Sequence, residues 1–326
     1  MVMDPSFYRS ATTRRGLTYS YYFSAPKAGK PFLLFAHGFP STSYIWRYQV
    51  DFFKARGFGL IVPDLLGVGG TEKPTNPIHY KLGLMSQDLV DILDVENIEQ
   101  VVAIGQIWGS VLLSRLANYY PERLIALAFF GVGYYPPHAV ADNIENEVSD
   151  DIHYDFHRLG FWEFFAAPDT HLILEKNIDS FYSLLLADDI DLWNSILVPP
   201  GATKAWVEAN RRTPLVSYVP EEELDIEKER LKGSFESSLC WFKVPVLGLD
   251  AADSKSIQPE NFTIKQPVFF GASMRDKCSR ASPGKVACQQ YCEGPLTVKE
   301  FDTGHWPTLE ARNQVNAELL EWIQRL

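Results

Sequence analysis

The residues best spaced for chemistry lie in Val101-Val102-Ala103-Ile104-Gly105-Gln106-Ile107-Trp108-Gly109-Ser110. An apolar, strand-like run enters a glycine-bracketed turn, and a helical stretch follows. This arrangement normally holds a Ser, Cys or Asp at the tip of a sharp strand-to-helix elbow, where it is exposed for nucleophilic attack. Here the central residue is Ile107, which has no lone pair, no titratable proton and no leaving group. The elbow centre takes a positive φ, where a β-branched residue is an outlier and strain costs about 1–3 kcal/mol. Two outcomes are expected. Either the turn has relaxed and disturbed the Trp108 amide, or the strain is kept because an apolar wall is useful at this point. Ser110 follows the second glycine and should point away from the site. Ser41 and Ser43 lie after the turn cluster His37-Gly38-Phe39-Pro40. None of the three reads as a substitute nucleophile.

The elements that must position this elbow alternate. Strand-like runs at Pro31 to Ala36, Gly59 to Pro63, Gln100 to Ile104 and Leu124 to Phe130 are separated by helical stretches. Those stretches are Tyr44 to Arg56, Leu82 to Leu93 and Ser110 to Tyr119. Such alternation predicts βαβ units, a mostly parallel sheet and helices on both faces, an α/β fold. Ligands then sit beyond the carboxyl ends of the strands, where His37 to Pro40, Asp64 and Ile107 all fall. From Gly133 to Val244 aromatic helical stretches replace the strands, among them Phe161-Trp162-Glu163-Phe164-Phe165 and Leu172 to Leu186. This predicts a helical cap over 133–244, between core segments 1–132 and 245–326. In the last segment a strand over Gln266 to Ser273, a helix over Ala281 to Tyr291 and a strand over Leu296 to Phe301 are expected. An amphipathic helix over Thr308 to Leu326 closes the chain.

Composition narrows the function classes. The 326 residues are 46% hydrophobic with a formal net charge of -11, which argues against nucleic acid and anionic membranes as partners. No run is long enough to span a bilayer, and the start lacks the pattern of a signal peptide, so a cytoplasmic protein is expected. Cys288 and Cys292 could be half of a metal site, but no second pair accompanies them, and buried thiols are the preferred reading. Gly67-Val68-Gly69-Gly70 reads as a tight turn rather than a phosphate loop. Arg211-Arg212 and Glu221-Glu222-Glu223 read as solvated faces.

Several motifs in order carry a resemblance: His37-Gly38-Phe39-Pro40, Pro63-Asp64-Leu65-Leu66-Gly67-Val68-Gly69-Gly70-Thr71-Glu72-Lys73-Pro74, the elbow at Gly105 to Gly109, Gly304-His305-Trp306, and Leu239-Cys240-Trp241-Phe242. Over nearly its whole length the chain resembles an epoxide hydrolase of the α/β-hydrolase superfamily. Its long connection Asp250 to Lys265 is similar to that of fungal members. The resemblance implies an α/β-hydrolase fold with an inserted lid. In the family an elbow Asp attacks the epoxide, two lid tyrosines protonate the ring oxygen, and an acid-oriented His activates water. The family His falls on His305 and its acid on Asp276, which would fix the imidazole tautomer. The nucleophile falls on Ile107 and the tyrosines on Phe161 and Phe242, with Tyr154, Tyr182 or Tyr218 as other sources of a phenol. Gln106 stands at the family's usual His. Backbone amides of Phe39 and Trp108 would form the oxyanion hole. His37, Gln106, Ile107, Trp108, Phe161, Phe242 and Trp306 are the expected pocket residues.

The preferred expectation is non-covalent cyclisation, isomerisation or elimination of a small hydrophobic, natural-product-like substrate, with His305 and Asp276 as the acid/base pair. No cofactor or metal is called for, and a homodimer is left open. A hydrolase using His305-activated water, a non-catalytic small-molecule-binding pseudoenzyme and an inactivated variant of an epoxide hydrolase stay as alternatives.

Overall fold

The apolar runs pair into an eight-stranded sheet. A computed structural model describes residues 3–137 and 160–326. The strands are β1 (Tyr8–Thr12), β2 (Thr18–Ser24), β3 (Phe32–Ala36), β4 (Gly59–Pro63), β5 (Val101–Gln106), β6 (Leu124–Phe130), β7 (Val268–Ser273) and β8 (Leu296–Phe301), in the order β1-β2-β4-β3-β5-β6-β7-β8. From β4 to β8 every pairing is parallel, whereas β1–β2 and β2–β4 are antiparallel. Every residue of β4, β5 and β7 is buried. Helices cover both faces of such a sheet, which is why these strands read as unbroken apolar runs rather than alternating ones.

β1 and β2 were not anticipated. β1 is an edge strand with Arg9, Ser10 and Thr12 exposed, and β2 buries tyrosines whose hydroxyls find partners: Tyr19 donates to Asp88 at 2.8 Å and Tyr21 to Glu96 at 2.6 Å. Two expected helices are also broken. Leu172 to Leu186 forms Thr170–Lys176 and Ile178–Leu185, interrupted at Asn177 (φ -124°, ψ 38°). The closing helix forms Pro307–Glu310 and Arg312–Ile323, interrupted at Ala311 (φ -113°).

Between β6 and β7 the described residues form short helices, from Phe161–Ala166 to Ala251–Ser254. Polar contacts clamp them onto the strand ends. The Trp241 indole donates to the Leu66 carbonyl at 3.0 Å and the Ser237 hydroxyl to Gly67 at 2.7 Å. Arg47 pairs with Glu223 at 2.6 Å, and Glu227 accepts the Thr42 amide at 2.7 Å. Asp64 accepts amides of Ser43 and Gly70, each at 2.9 Å, and Gly67 and Gly69 take positive φ. That segment is therefore a tight turn. Cys288 and Cys292 are free thiols, and the described residues hold no cluster suited to a metal ion.

Candidate active site

The elbow has not relaxed. Ile107 sits between β5 and the helix Trp108–Tyr119 with φ 53° and ψ -110°. Its amide donates to Phe130 at 3.0 Å and its carbonyl accepts from Val111 at 3.1 Å. The flanking glycines are steric requirements. A Cβ on Gly105 would lie 2.7 Å from the Gly109 carbonyl carbon, and one on Gly109 would strike the Ala36 carbonyl. Gly131, at φ +74°, leaves the space that Ile107 Cδ1 fills. A β-branched side chain is thus held in a backbone region disfavoured by about 1–3 kcal/mol, with neighbours shaped to receive it.

Opposite this wall stands the imidazole. The Arg275 amide donates to Thr303 at 2.9 Å, tying the loop after β7 to the loop after β8. Asp276 and His305 therefore meet, with His305 Nδ1 2.8 Å from Asp276 Oδ2. The other carboxylate oxygen accepts the amides of Cys278 and Ser279 at 2.8 and 3.1 Å. Burial opposes charge on Asp276, but the His305 ring and these two amides outweigh it and hold the carboxyl below its usual range. An ionised Asp276 accepts a proton bond from Nδ1, so Nε2 of the neutral ring carries the lone pair. Rings of Trp193 and Trp306, with centroids at 5.1 and 4.9 Å, fix the plane of the imidazole.

Ile107 and His305 face one cavity. Phe39, Trp108, Phe161 and Phe242 line it as well, together with Pro40, Trp162, Phe165, Leu185, Trp193 and Leu197. The rings interlock: Phe242 lies 4.9 Å from Phe39, 5.0 Å from Phe165 and 5.3 Å from Trp108. Among the described residues no tyrosine and no carboxylate lines this space. Tyr182 donates to the Pro40 carbonyl at 3.3 Å and lines a neighbouring cavity. Tyr218 lies outside the lining, and Tyr154 lies outside the described residues. The Ser110 hydroxyl donates to Gly105 at 2.9 Å inside the strand–helix junction. Ser43 contacts the Tyr8 hydroxyl at 2.7 Å.

Three expected pocket residues stand elsewhere. His37 is buried behind the turn, with Nδ1 2.8 Å from the Gly38 carbonyl and Nε2 accepting the Leu65 amide at 2.9 Å. Burial pushes it down to about 4, so it is neutral and serves the backbone. Gln106, the last residue of β5, points the opposite way from Ile107. Its amide donates to the His305 carbonyl at 3.3 Å and accepts the Thr308 hydroxyl at 2.8 Å. Trp306 packs edge-on against the His305 ring, but its indole donates to the Leu185 carbonyl at 3.1 Å and it lines the neighbouring cavity.

The sequence reading missed Cys278 and Ser279, which supply a thiol and a hydroxyl to the lining. Their signal was proximity in sequence to Asp276. Burial and the Asp276 charge push the Cys278 thiol up, so it is a poor nucleophile.

Comparison with known proteins agrees with this fold. A family model described as alpha/beta hydrolase fold matches residues 31–311. The bifunctional epoxide hydrolase 2 of Mus musculus is 26% identical over 296 residues, 90% of this chain and 52% of that protein, so the chain spans about half its length. An epoxide hydrolase of Neurospora crassa is 25% identical over 325 residues, covering 95% and 92% of the two chains. The crystal structure of epoxide hydrolase A from Mycobacterium thermoresistibile superposes with a TM-score of 0.76 at 23% identity, over 97% of this chain and 98% of that one. A mostly parallel sheet, an elbow at the end of β5 and a sequence match over residues 31–311 together place the chain in the alpha/beta hydrolase fold family.

Proposed function

We propose that this epoxide-hydrolase-like chain is an enzyme that binds a small hydrophobic, natural-product-like molecule and rearranges it without a covalent ester, with 133–244 as the lid. The observation that carries this reading is the pairing of Ile107 with His305 across one aromatic cavity. An epoxide-opening ester needs a carboxylate at the elbow and phenols above it. Ile107 stands at the first position, and Phe161 and Phe242 stand at the positions matched to the second.

His305 and Asp276 form an acid/base pair that this loss leaves intact. Nε2 would take a proton from one carbon of the substrate and return it at another, giving an isomer or a cyclised product, or pass it to a departing hydroxyl that leaves as water in an elimination. Asp276 would stabilise the imidazolium in between. General acid–base catalysis supplies about 10²–10⁴-fold. The interlocked rings would supply the rest by holding a flexible chain in its reactive fold and excluding water. Phe39 and Trp108 both line the cavity, and their amides would steady developing negative charge on an oxygen of the substrate.

The test is conversion of a bound hydrophobic molecule by the wild type, His305→Ala and the cavity-filling Leu197→Phe. Loss of conversion in both variants is expected. Unchanged conversion in both would overturn the proposal.

A further inference from the structure

A second cavity lies behind the Trp108–Trp162 wall of the His305 cavity. The two indoles line both spaces and pack with centroids 5.6 Å apart. Tyr80, Met85 and Trp241 make the second chamber largely apolar, and the Tyr80 hydroxyl and the Trp241 indole N–H are already bonded to the carbonyls of Pro74 and Leu66.

One charged side chain breaks this pattern. Asp250 lines the chamber and is 7% exposed. Its Oδ1 accepts the Leu82 amide at 3.0 Å, at the start of the helix Leu82–Val95. Among the described residues Oδ2 has no hydrogen-bond partner. Burial pushes the carboxyl up to about 6, while the Leu82 amide and the Arg115 charge hold it lower. A carboxylate oxygen that faces an apolar chamber without a protein donor favours an occupant that donates to it. An Asn would cap the same helix without that liability.

We propose that the two chambers bind one elongated molecule, whose apolar body passes the Trp108–Trp162 wall and whose far end presents a hydrogen-bond donor, an ammonium or a hydroxyl, to Asp250. The inference rests on the reading that the His305 cavity accepts a hydrophobic molecule, and it adds the polarity and length of the substrate. A carboxylate-terminated molecule is disfavoured by like charge.

The test is calorimetric binding of 4-phenylbutylamine, 4-phenyl-1-butanol and 4-phenylbutyrate against n-butylbenzene as the apolar control. Quenching of the lining tryptophans is followed in parallel. The amine or the alcohol should bind about tenfold tighter than butylbenzene, the worth of one charge-assisted hydrogen bond, and the butyrate more weakly. Asp250→Asn keeps an acceptor for the Leu82 amide and should fold. It should erase the advantage of the amine and restore binding of the butyrate. Asp250→Leu should leave butylbenzene binding intact and remove discrimination among the polar ends. Equal binding of all four probes to the wild type, or an amine preference that survives Asp250→Asn, would overturn the inference. All of this is read as binding, and it is repeated in His305→Ala. Conversion that is unchanged in His305→Ala, with Asp250-dependent binding retained, would therefore sink the proposed reaction alone.

Discussion

If Ile107 is a wall held in place by strain, Gly131 is the residue that makes room for it. A methyl at Gly131 would fall inside the van der Waals shell of Ile107 Cδ1, and Gly131 itself has φ +74°. Gly131→Ala should therefore carry two separable penalties. A Cβ on a left-handed residue costs about 1–2 kcal/mol, and overpacking against Ile107 adds about 1–3 kcal/mol. Ile107→Ala alone removes a half-buried side chain, at about 1–2 kcal/mol. In the double variant the steric penalty disappears because Cδ1 is gone. The cycle should then show a coupling of about 1–3 kcal/mol, with the double variant more stable than the two single losses predict. Urea unfolding followed by tryptophan fluorescence reads each free energy by linear extrapolation. Losses that add to within about 0.5 kcal/mol would show that Ile107 does not occupy the Gly131 space, and the strained-wall account of the elbow would fail.

Asp276→Asn should lower conversion by about 10²–10⁴-fold, because the imidazole loses its orienting anion. It should also flatten the acid limb of the stability curve. The folded-state value of Asp276 lies below the ordinary one, so its stabilisation is present above the normal carboxylate range and lost as pH falls through the folded value; a variant with an unchanged acid limb would contradict this. Glu227 behaves oppositely, since burial pushes it up to about 7. Its folded form holds the proton longer than the unfolded chain does, so stability should decline from about pH 4.5 to 7 and level off above. Glu227→Gln keeps an acceptor for Thr42 and should abolish that decline, gaining on the order of 2–3 kcal/mol over the wild type at neutral pH; thermal melts across this range decide it. Ile107→Asp puts a carboxylate at the elbow but supplies no phenol, so release of diol from styrene oxide should stay near background, and robust hydrolysis would show that another acid serves the site.

The parts of the fold legible in the sequence were those whose burial is complete. β4, β5 and β7 are covered on both faces, so their apolar runs stand out without alternation. β1 and β2 escaped because an edge strand with exposed Arg9 and Ser10 has no such run, and the tyrosines of β2 are buried through hydroxyl bonds to Asp88 and Glu96. The elbow was legible because Gly105 and Gly109 are demanded by backbone contact. Neighbours in sequence were less reliable guides than motif positions. Gln106 adjoins Ile107 yet points to another space, since successive side chains at a strand end diverge, and Trp306, in the loop after β8, adjoins His305 yet lines the neighbouring cavity. Cys278 and Ser279 reach the cavity because their amides wrap the Asp276 carboxylate, a local turn with no periodic signature. The aromatic lining from Phe165 to Leu197 depends on helices broken at Asn177, which the pattern of apolar residues did not mark.

The central claim is that His305 moves protons in an apolar cavity without water entering the product. Its most direct test is a labelling measurement on hydrophobic epoxides and polyenes that the protein binds, carried out in a mixture of deuterium oxide and ¹⁸O-enriched water. The account predicts a product isomeric with its substrate or formed from it by elimination, deuterium where a proton is returned to carbon, no ¹⁸O, and loss of conversion in His305→Ala. A diol carrying ¹⁸O, conversion that persists without His305, or bound ligand recovered unchanged and unlabelled would contradict it.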